Sequence, residues 1–122
     1  MARILLVDDE PDMVQVWKLF LRRAGHEIEE AHDGLEALHI TKTFIPDLII
    51  LDLMMPMAAG DLVLGFIRST EELRSTRVVV ISAHPRGSQI AQDLEADGFL
   101  AKPVQMDAFQ AEVDRVLELM GA

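Results

Sequence analysis

A chain of 122 residues that is 50% hydrophobic and 26% charged, with only 7 glycines and 5 prolines, has the size and make-up of one folded domain, which excludes disordered, collagenous and low-complexity polymers. Asp and Glu total 21 against 11 Lys and Arg, and the formal charge of −10 repels phosphodiester backbones and anionic lipid, so neither is expected as a direct partner. With no cysteine, disulfides, thiolate ligands and thiol nucleophiles are ruled out together, and the longest uncharged runs, 53–60 and 78–85, are eight residues each, against the ~18 apolar residues of a spanning helix. No basic stretch followed by an apolar one precedes the first motif, so a cytoplasmic location without a leader is expected.

In chain order, the run Ile4-Leu5-Leu6-Val7 is apolar at every position, as in a parallel strand covered by helices on both faces, and predicts a strand over 3–7. From Pro11, the residues Met13, Val16, Trp17 and Phe20 recur at helical spacing, predicting a helix with that stripe in the core and Gly25 as its terminator. The weaker alternation Glu27-Ile28-Glu29-Glu30 suits an edge strand over 27–31. Asp33 with Glu36 three residues later resembles a capping box, opening a short helix that carries Leu35 and Leu38 and stops before Pro46.

A second fully apolar run predicts a strand over 48–51, followed by a helix over 61–69 and a strand over 77–81. A more polar helix is expected over 87–96, then a strand over 99–101. After Pro103, the stripe Phe109, Val113, Val116, Leu117 and Met120 marks a final helix. Five strands alternating with five helices imply an α/β doubly wound parallel sheet with right-handed crossovers, of flavodoxin-like order 2-1-3-4-5, spanning 1–122 as a single domain. Ligands in such sheets bind beyond the carboxyl ends of the strands, at the switch point between strands one and three.

Three carboxylates fall at that point. Asp8 and Asp9 end strand one and Asp52 ends strand three, while Ser82 ends strand four and Lys102 ends strand five. Two carboxylates about 4 Å apart repel by roughly 4 kcal/mol at an effective dielectric near 20, and a single lysine cannot offset three of them. A hard divalent cation with oxygen ligands can, and Mg²⁺ fits that donor set. Beside such a cation Asp52 suits a nucleophile for phosphoryl transfer, with Lys102 pairing with the incoming group and the Ser82 hydroxyl donating to another of its oxygens.

Four stretches in order, Leu5-Leu6-Val7-Asp8-Asp9-Glu10-Pro11, Leu51-Asp52-Leu53-Met54-Met55-Pro56, Ile81-Ser82-Ala83 and Phe99-Leu100-Ala101-Lys102-Pro103, resemble the receiver domain of bacterial two-component response regulators. The stretch Asp33-Gly34-Leu35-Glu36-Ala37-Leu38 also resembles the family's second helix. The resemblance implies that Asp52 accepts a phosphoryl group from a sensor histidine kinase or histidine phosphotransfer protein. It also implies that Asp9 binds Mg²⁺ directly, Asp8 mostly through water, and Met54 through its main-chain carbonyl. Ser82 and Phe99 would be the switch pair: Ser82 moves toward the phosphoryl group, Phe99 turns inward, and the face of helix four, strand five and helix five is remodelled for a downstream protein target.

Ser82 stands where the family often has Thr, the stretch 56–60 lacks an acidic residue before Gly60, and Asp97-Gly98 replaces a more usual Gly-Ala pair. The chain is read as a switch and not as an enzyme with a free substrate, standing alone or as part of a larger regulator or hybrid kinase, with a phosphorylation-dependent homodimer through the switch face as a further partner. Two rival classes are an Asp-nucleophile phosphatase of the dehalogenase type and a phosphorylation-independent binding module. The phosphatase requires an Asp-x-Asp strand end that Asp8-Asp9-Glu10-Pro11 does not supply. A histidine phosphotransfer bundle built on His39 disagrees with the βα alternation. The four histidines, His26, His32, His39 and His84, show no metal-ligand spacing, and His84 is notable only for lying two residues past Ser82.

Overall fold

The computed structural model describes residues 2–8, 10–53 and 60–121, without the side chains of residues 61 and 119–121. Its strands are β1 (Arg3–Val7), β2 (Glu27–Ala31), β3 (Leu48–Asp52), β4 (Arg77–Ser82) and β5 (Gly98–Ala101). The helices are α1 (Pro11–Arg23), α2 (Gly34–Phe44), α3 (Gly60–Ser69), α4 (Gly87–Asp93) and α5 (Met106–Gly121), with one short 3₁₀ turn at Glu71–Leu73. All strands are parallel, in the order β2-β1-β3-β4-β5. The expected fold class and strand order therefore hold.

The two-residue period of a strand explains why the central runs are apolar throughout. Leu5 and Val7, Ile49 and Leu51, and Val78 and Val80 point to one layer, where they meet Ala37 of α2, Val63, Leu64 and Ile67 of α3 and Ala91 of α4. Ile4 and Leu6, Leu48 and Ile50, and Val79 and Ile81 point to the other, against Val14, Trp17 and Leu21 of α1 and Phe109, Val113 and Val116 of α5. The Trp17 and Phe109 rings stack with centroids 5.1 Å apart, and Phe20 meets Phe109 edge-on at 6.1 Å, which locks α1 to α5.

Two buried stripes differ from expectation. In α1 Trp17 is buried and Met13 and Phe20 pack against the core as expected, but Val14 and Leu21 complete the inward face and Val16 is 49% exposed. Apolar residues in this helix cover more than one face, and the stacking of Trp17 on Phe109 decides which face turns inward. In α2 the buried residues are Gly34, Ala37 and Thr41, with Leu35 exposed and Leu38 packed only at the margin of the core. Small residues face the sheet there.

Helix ends follow local chemistry. Asp33 accepts from the Glu36 amide at 2.8 Å, and the Glu36 carboxylate reaches back to the His32 amide at 2.7 Å, one residue earlier than in the standard box. Gly25, at φ +93°, closes α1 with paired bonds from Gly25 N to the Arg22 carbonyl and from His26 N to the Leu21 carbonyl, the Schellman pattern. The end of α4 uses the same pattern without glycine. Ala96 N bonds the Ala91 carbonyl at 2.9 Å and Glu95 N bonds that of Gln92 at 3.1 Å, with Glu95 itself left-handed at φ +61°. The helix therefore stops at Asp93 and not at Ala96.

Candidate functional site

The carboxyl ends of β1, β3 and β5 converge as the strand order requires. Asp8 and Asp52 are 1% and 3% exposed, each on the residue where its strand leaves the sheet. Lys102 follows β5 and is tied to β4 through its amide, which donates to the Ser82 carbonyl at 3.0 Å. Its ammonium reaches into the acid cluster: Nζ lies 2.6 Å from Glu10 Oε1, 3.1 Å from Asp52 Oδ2 and 3.3 Å from Asp8 Oδ2. One oxygen from each of Asp8, Glu10 and Asp52 can be chosen so that all three lie within 4.8 Å of one another, a spacing that suits a single small cation.

Glu10 is the residue that the sequence reading passed over. It was legible only as the neighbour of an acidic pair. The fold brings it in because it occupies the N-cap position of α1, its amide donates to Asp8 Oδ1 at 2.8 Å, and its side chain makes no cap bond to the helix. Asp9 and Met54, expected as metal ligands, lie outside the described residues, as does most of the 56–60 stretch.

Electrostatics at the site oppose one another. Burial pushes the Asp8 carboxyl above the ordinary aspartate range, the Asp52 charge adds to this, and the Glu10 amide and Lys102 pull the other way. Asp8 Oδ2 is buried and, among the described residues, accepts no well-directed hydrogen bond, the ammonium of Lys102 lying 3.3 Å from it. For Lys102 burial alone would lower the ammonium, but hydrogen bonds to Glu10 and Asp52 and the field of Asp8 and Asp52 outweigh it and hold the group above the usual lysine range. It stays charged. A buried carboxylate oxygen with spare coordination capacity, among hard oxygen donors, fits Mg²⁺.

Glycine is demanded where α3 meets the site. A Cβ on Gly60 would overlap the Asp52 carbonyl oxygen and come within 2.5 Å of Leu53 Cα, so the close approach of α3 to the end of β3 requires a residue without a side chain. Gly60 N also donates to the Leu53 carbonyl at 3.0 Å.

Ser82 is 1% exposed, and its Oγ accepts from the His84 amide at 2.9 Å, a local turn in which the hydroxyl keeps its own hydrogen to donate. The His84 ring is occupied locally, its Nδ1 accepting from the Arg86 amide at 2.9 Å. Phe99 is half-buried against the core layer that holds α3 and α4. A Cβ placed on Gly87 would lie 3.1 Å from both the Phe99 ring and Ser82 Cβ, so both residues border the first residue of α4. The Asp97-Gly98 departure also has a structural role. The Asp97 carboxylate accepts from Arg68 Nη2 at 2.8 Å, Arg77 Nη1 at 3.1 Å and the Val78 amide at 2.9 Å, fixing the entry to β5.

Residues 4–114 match the model of the response regulator receiver domain, and the chain belongs to that family. It is 36% identical over 121 residues to the response regulator GtcR of Aneurinibacillus migulanus, covering 94% of this chain and 49% of that protein. It is 34% identical over 119 residues to the chemotaxis protein CheY-3 of Vibrio cholerae, covering 95% of this chain and 92% of that protein. The solved chemotaxis response regulator CheY4 of Vibrio cholerae superposes with a TM-score of 0.88 at 30% identity, covering 95% and 98% of the two chains. The chain spans about half the length of the first curated relatives that it matches and nearly all of CheY-3. It is a receiver domain of the two-component kind, a class of signalling switch. Among the described residues no helix is long and apolar enough to cross a membrane.

Proposed function

We propose that residues 1–122 form a single receiver in which Asp52 accepts a phosphoryl group from a phosphohistidine of a sensor histidine kinase or phosphotransfer protein in the cytoplasm, standing alone or within a longer regulator or hybrid kinase. The observation that carries this reading is Lys102 Nζ lying within 3.3 Å of the carboxylates of Asp8, Glu10 and Asp52. A hard cation would be held by Asp8 and Asp52, with Asp9 and the Met54 carbonyl carried over from the family resemblance. When bound, Mg²⁺ supplies charge neutralisation for the phosphoryl oxygens.

The chain's own groups do the rest. An Asp52 carboxylate oxygen attacks phosphorus and forms the O–P bond while the donor's P–N bond breaks. The electron pair of that bond stays on the imidazole nitrogen, and the imidazole, protonated beforehand on its other nitrogen, leaves neutral. Lys102 turns from the carboxylates to a phosphoryl oxygen with a charge-assisted hydrogen bond. Ser82 gives up its bond from the His84 amide and donates to another phosphoryl oxygen, and Phe99 moves toward the space that Ser82 vacates. This biases the α4, β5 and α5 face toward a second packing that a downstream protein reads.

Incubation with a small-molecule phosphodonor and Mg²⁺ tests the reading. Intact mass should rise by one phosphoryl group per chain, and Asp52→Asn should abolish the rise. Sustained phosphate release from many unrelated phosphomonoesters would favour a phosphatase instead. No adduct and no turnover would favour a binding module that keeps only the fold.

A further inference from the structure

The shortest contact of Lys102 is to the residue farthest out. Glu10 Oε1 is 2.6 Å from Nζ, against 3.1 Å for Asp52 and 3.3 Å for Asp8, and the Glu10 side chain is 54% exposed where theirs are 4% and 1%. Two separate features fix Glu10 at this place. Its amide is anchored on Asp8, and its side chain turns away from the free N–H groups of α1, which an N-cap residue commonly serves, toward a lysine 92 positions later in the chain.

Resting on the phospho-acceptor reading, we infer that Glu10 is a positioning residue that holds Lys102 at the rim of the acid cluster. With the ammonium drawn outward, more of the negative field of Asp8 and Asp52 is left for a divalent cation. A phosphoryl group on Asp52 needs the same ammonium, so it must draw Lys102 away from Glu10 while Glu10 also repels its negative charge. Glu10 thus favours the cation and opposes the anion. A merely structural role would not push the two in opposite directions.

The test is Glu10→Gln, which keeps the shape of the side chain and removes its charge. Mg²⁺ is titrated by calorimetry, with Trp17 fluorescence as a second signal, because Trp17 lines the same groove as Glu10 and Lys102. Beryllium trifluoride, a stable stand-in for the phosphoryl group, is then titrated at saturating Mg²⁺. The scale of an exposed ion pair sets the expectation: the Mg²⁺ dissociation constant rises about two- to fivefold and the beryllium trifluoride constant falls by a similar factor. Both constants unchanged, or both shifted the same way, would overturn the role of Glu10. If the unaltered protein binds no beryllium trifluoride, or Asp52→Asn binds it equally well, the phospho-acceptor reading itself fails.

Discussion

Asp8 shows most directly how a site can work against the fold that carries it. The carboxyl is buried and lies above its ordinary range, first through burial and then through the Asp52 charge. A carboxyl raised in the folded state contributes stability while protonated, below its unfolded value, and that contribution is lost as pH rises through the folded value. At neutral pH, above the unfolded value, Asp8 therefore destabilises the cation-free chain. Asp8→Asn should melt at a higher temperature than the unaltered protein at pH 7 without divalent ions, and Mg²⁺ should no longer raise its melting point. In the unaltered chain, Mg²⁺ at 100 times its dissociation constant should add about 2.7 kcal/mol. Scanning calorimetry with and without Mg²⁺ decides it, and a lower melting point for the variant in the absence of Mg²⁺ would contradict the sign. Gly60 belongs at this scale too, because its missing side chain is what lets α3 start against the Asp52 main chain.

Element ends were legible where a residue type matches the geometry it must adopt. Gly25 announces the left-handed close of α1, and Asp33 announces the start of α2. The close of α4 was hidden because Glu95 fills a left-handed position that glycine usually takes, so the helical pattern ran on to Ala96. Glu95 is exposed, and its conformation serves the main chain: its carbonyl accepts from Arg68 Nε at 3.1 Å. Glu95→Gly removes the left-handed strain at no cost in buried contacts and should stabilise the protein by about 1 kcal/mol, or roughly 3–6 °C in thermal melting. The buried stripes of α1 and α2 show the converse limit. Period alone marks a helix, but Val16 and Leu35 satisfy an apolar pattern while facing outward, because the aromatic stack of Trp17 on Phe109 and the small face of α2 set the rotation.

Across the whole molecule, stability should depend on pH through a group remote from the site. His26 Nδ1 accepts the Ala2 amide at 3.0 Å, and burial holds the imidazole below its ordinary value of 6.5. Protonation would replace an acceptor with a donor and break that bond. A histidine depressed in the folded state contributes stability that is present above the unfolded value and lost as pH falls toward the folded one. Urea melts from about pH 7.5 down to about pH 5.5, a range that brackets the imidazole, should show stability declining below about pH 6.5, with the decline reduced in His26→Gln. An identical slope in that variant would remove His26 as the cause.

Strand content, strand order and the meeting of Asp8 and Asp52 with Lys102 followed from the sequence, because fully apolar runs require cover on both faces and parallel strands bring their carboxyl ends to one edge. Tertiary structure alone decided that Glu10 joins that set and that Lys102 lies closest to it. It also decided which apolar face of α1 turns inward and where α4 stops. Those outcomes depend on distances between segments far apart in the chain, and on which of several locally equivalent conformations packs best, and neither is encoded in the spacing of residues along a single element.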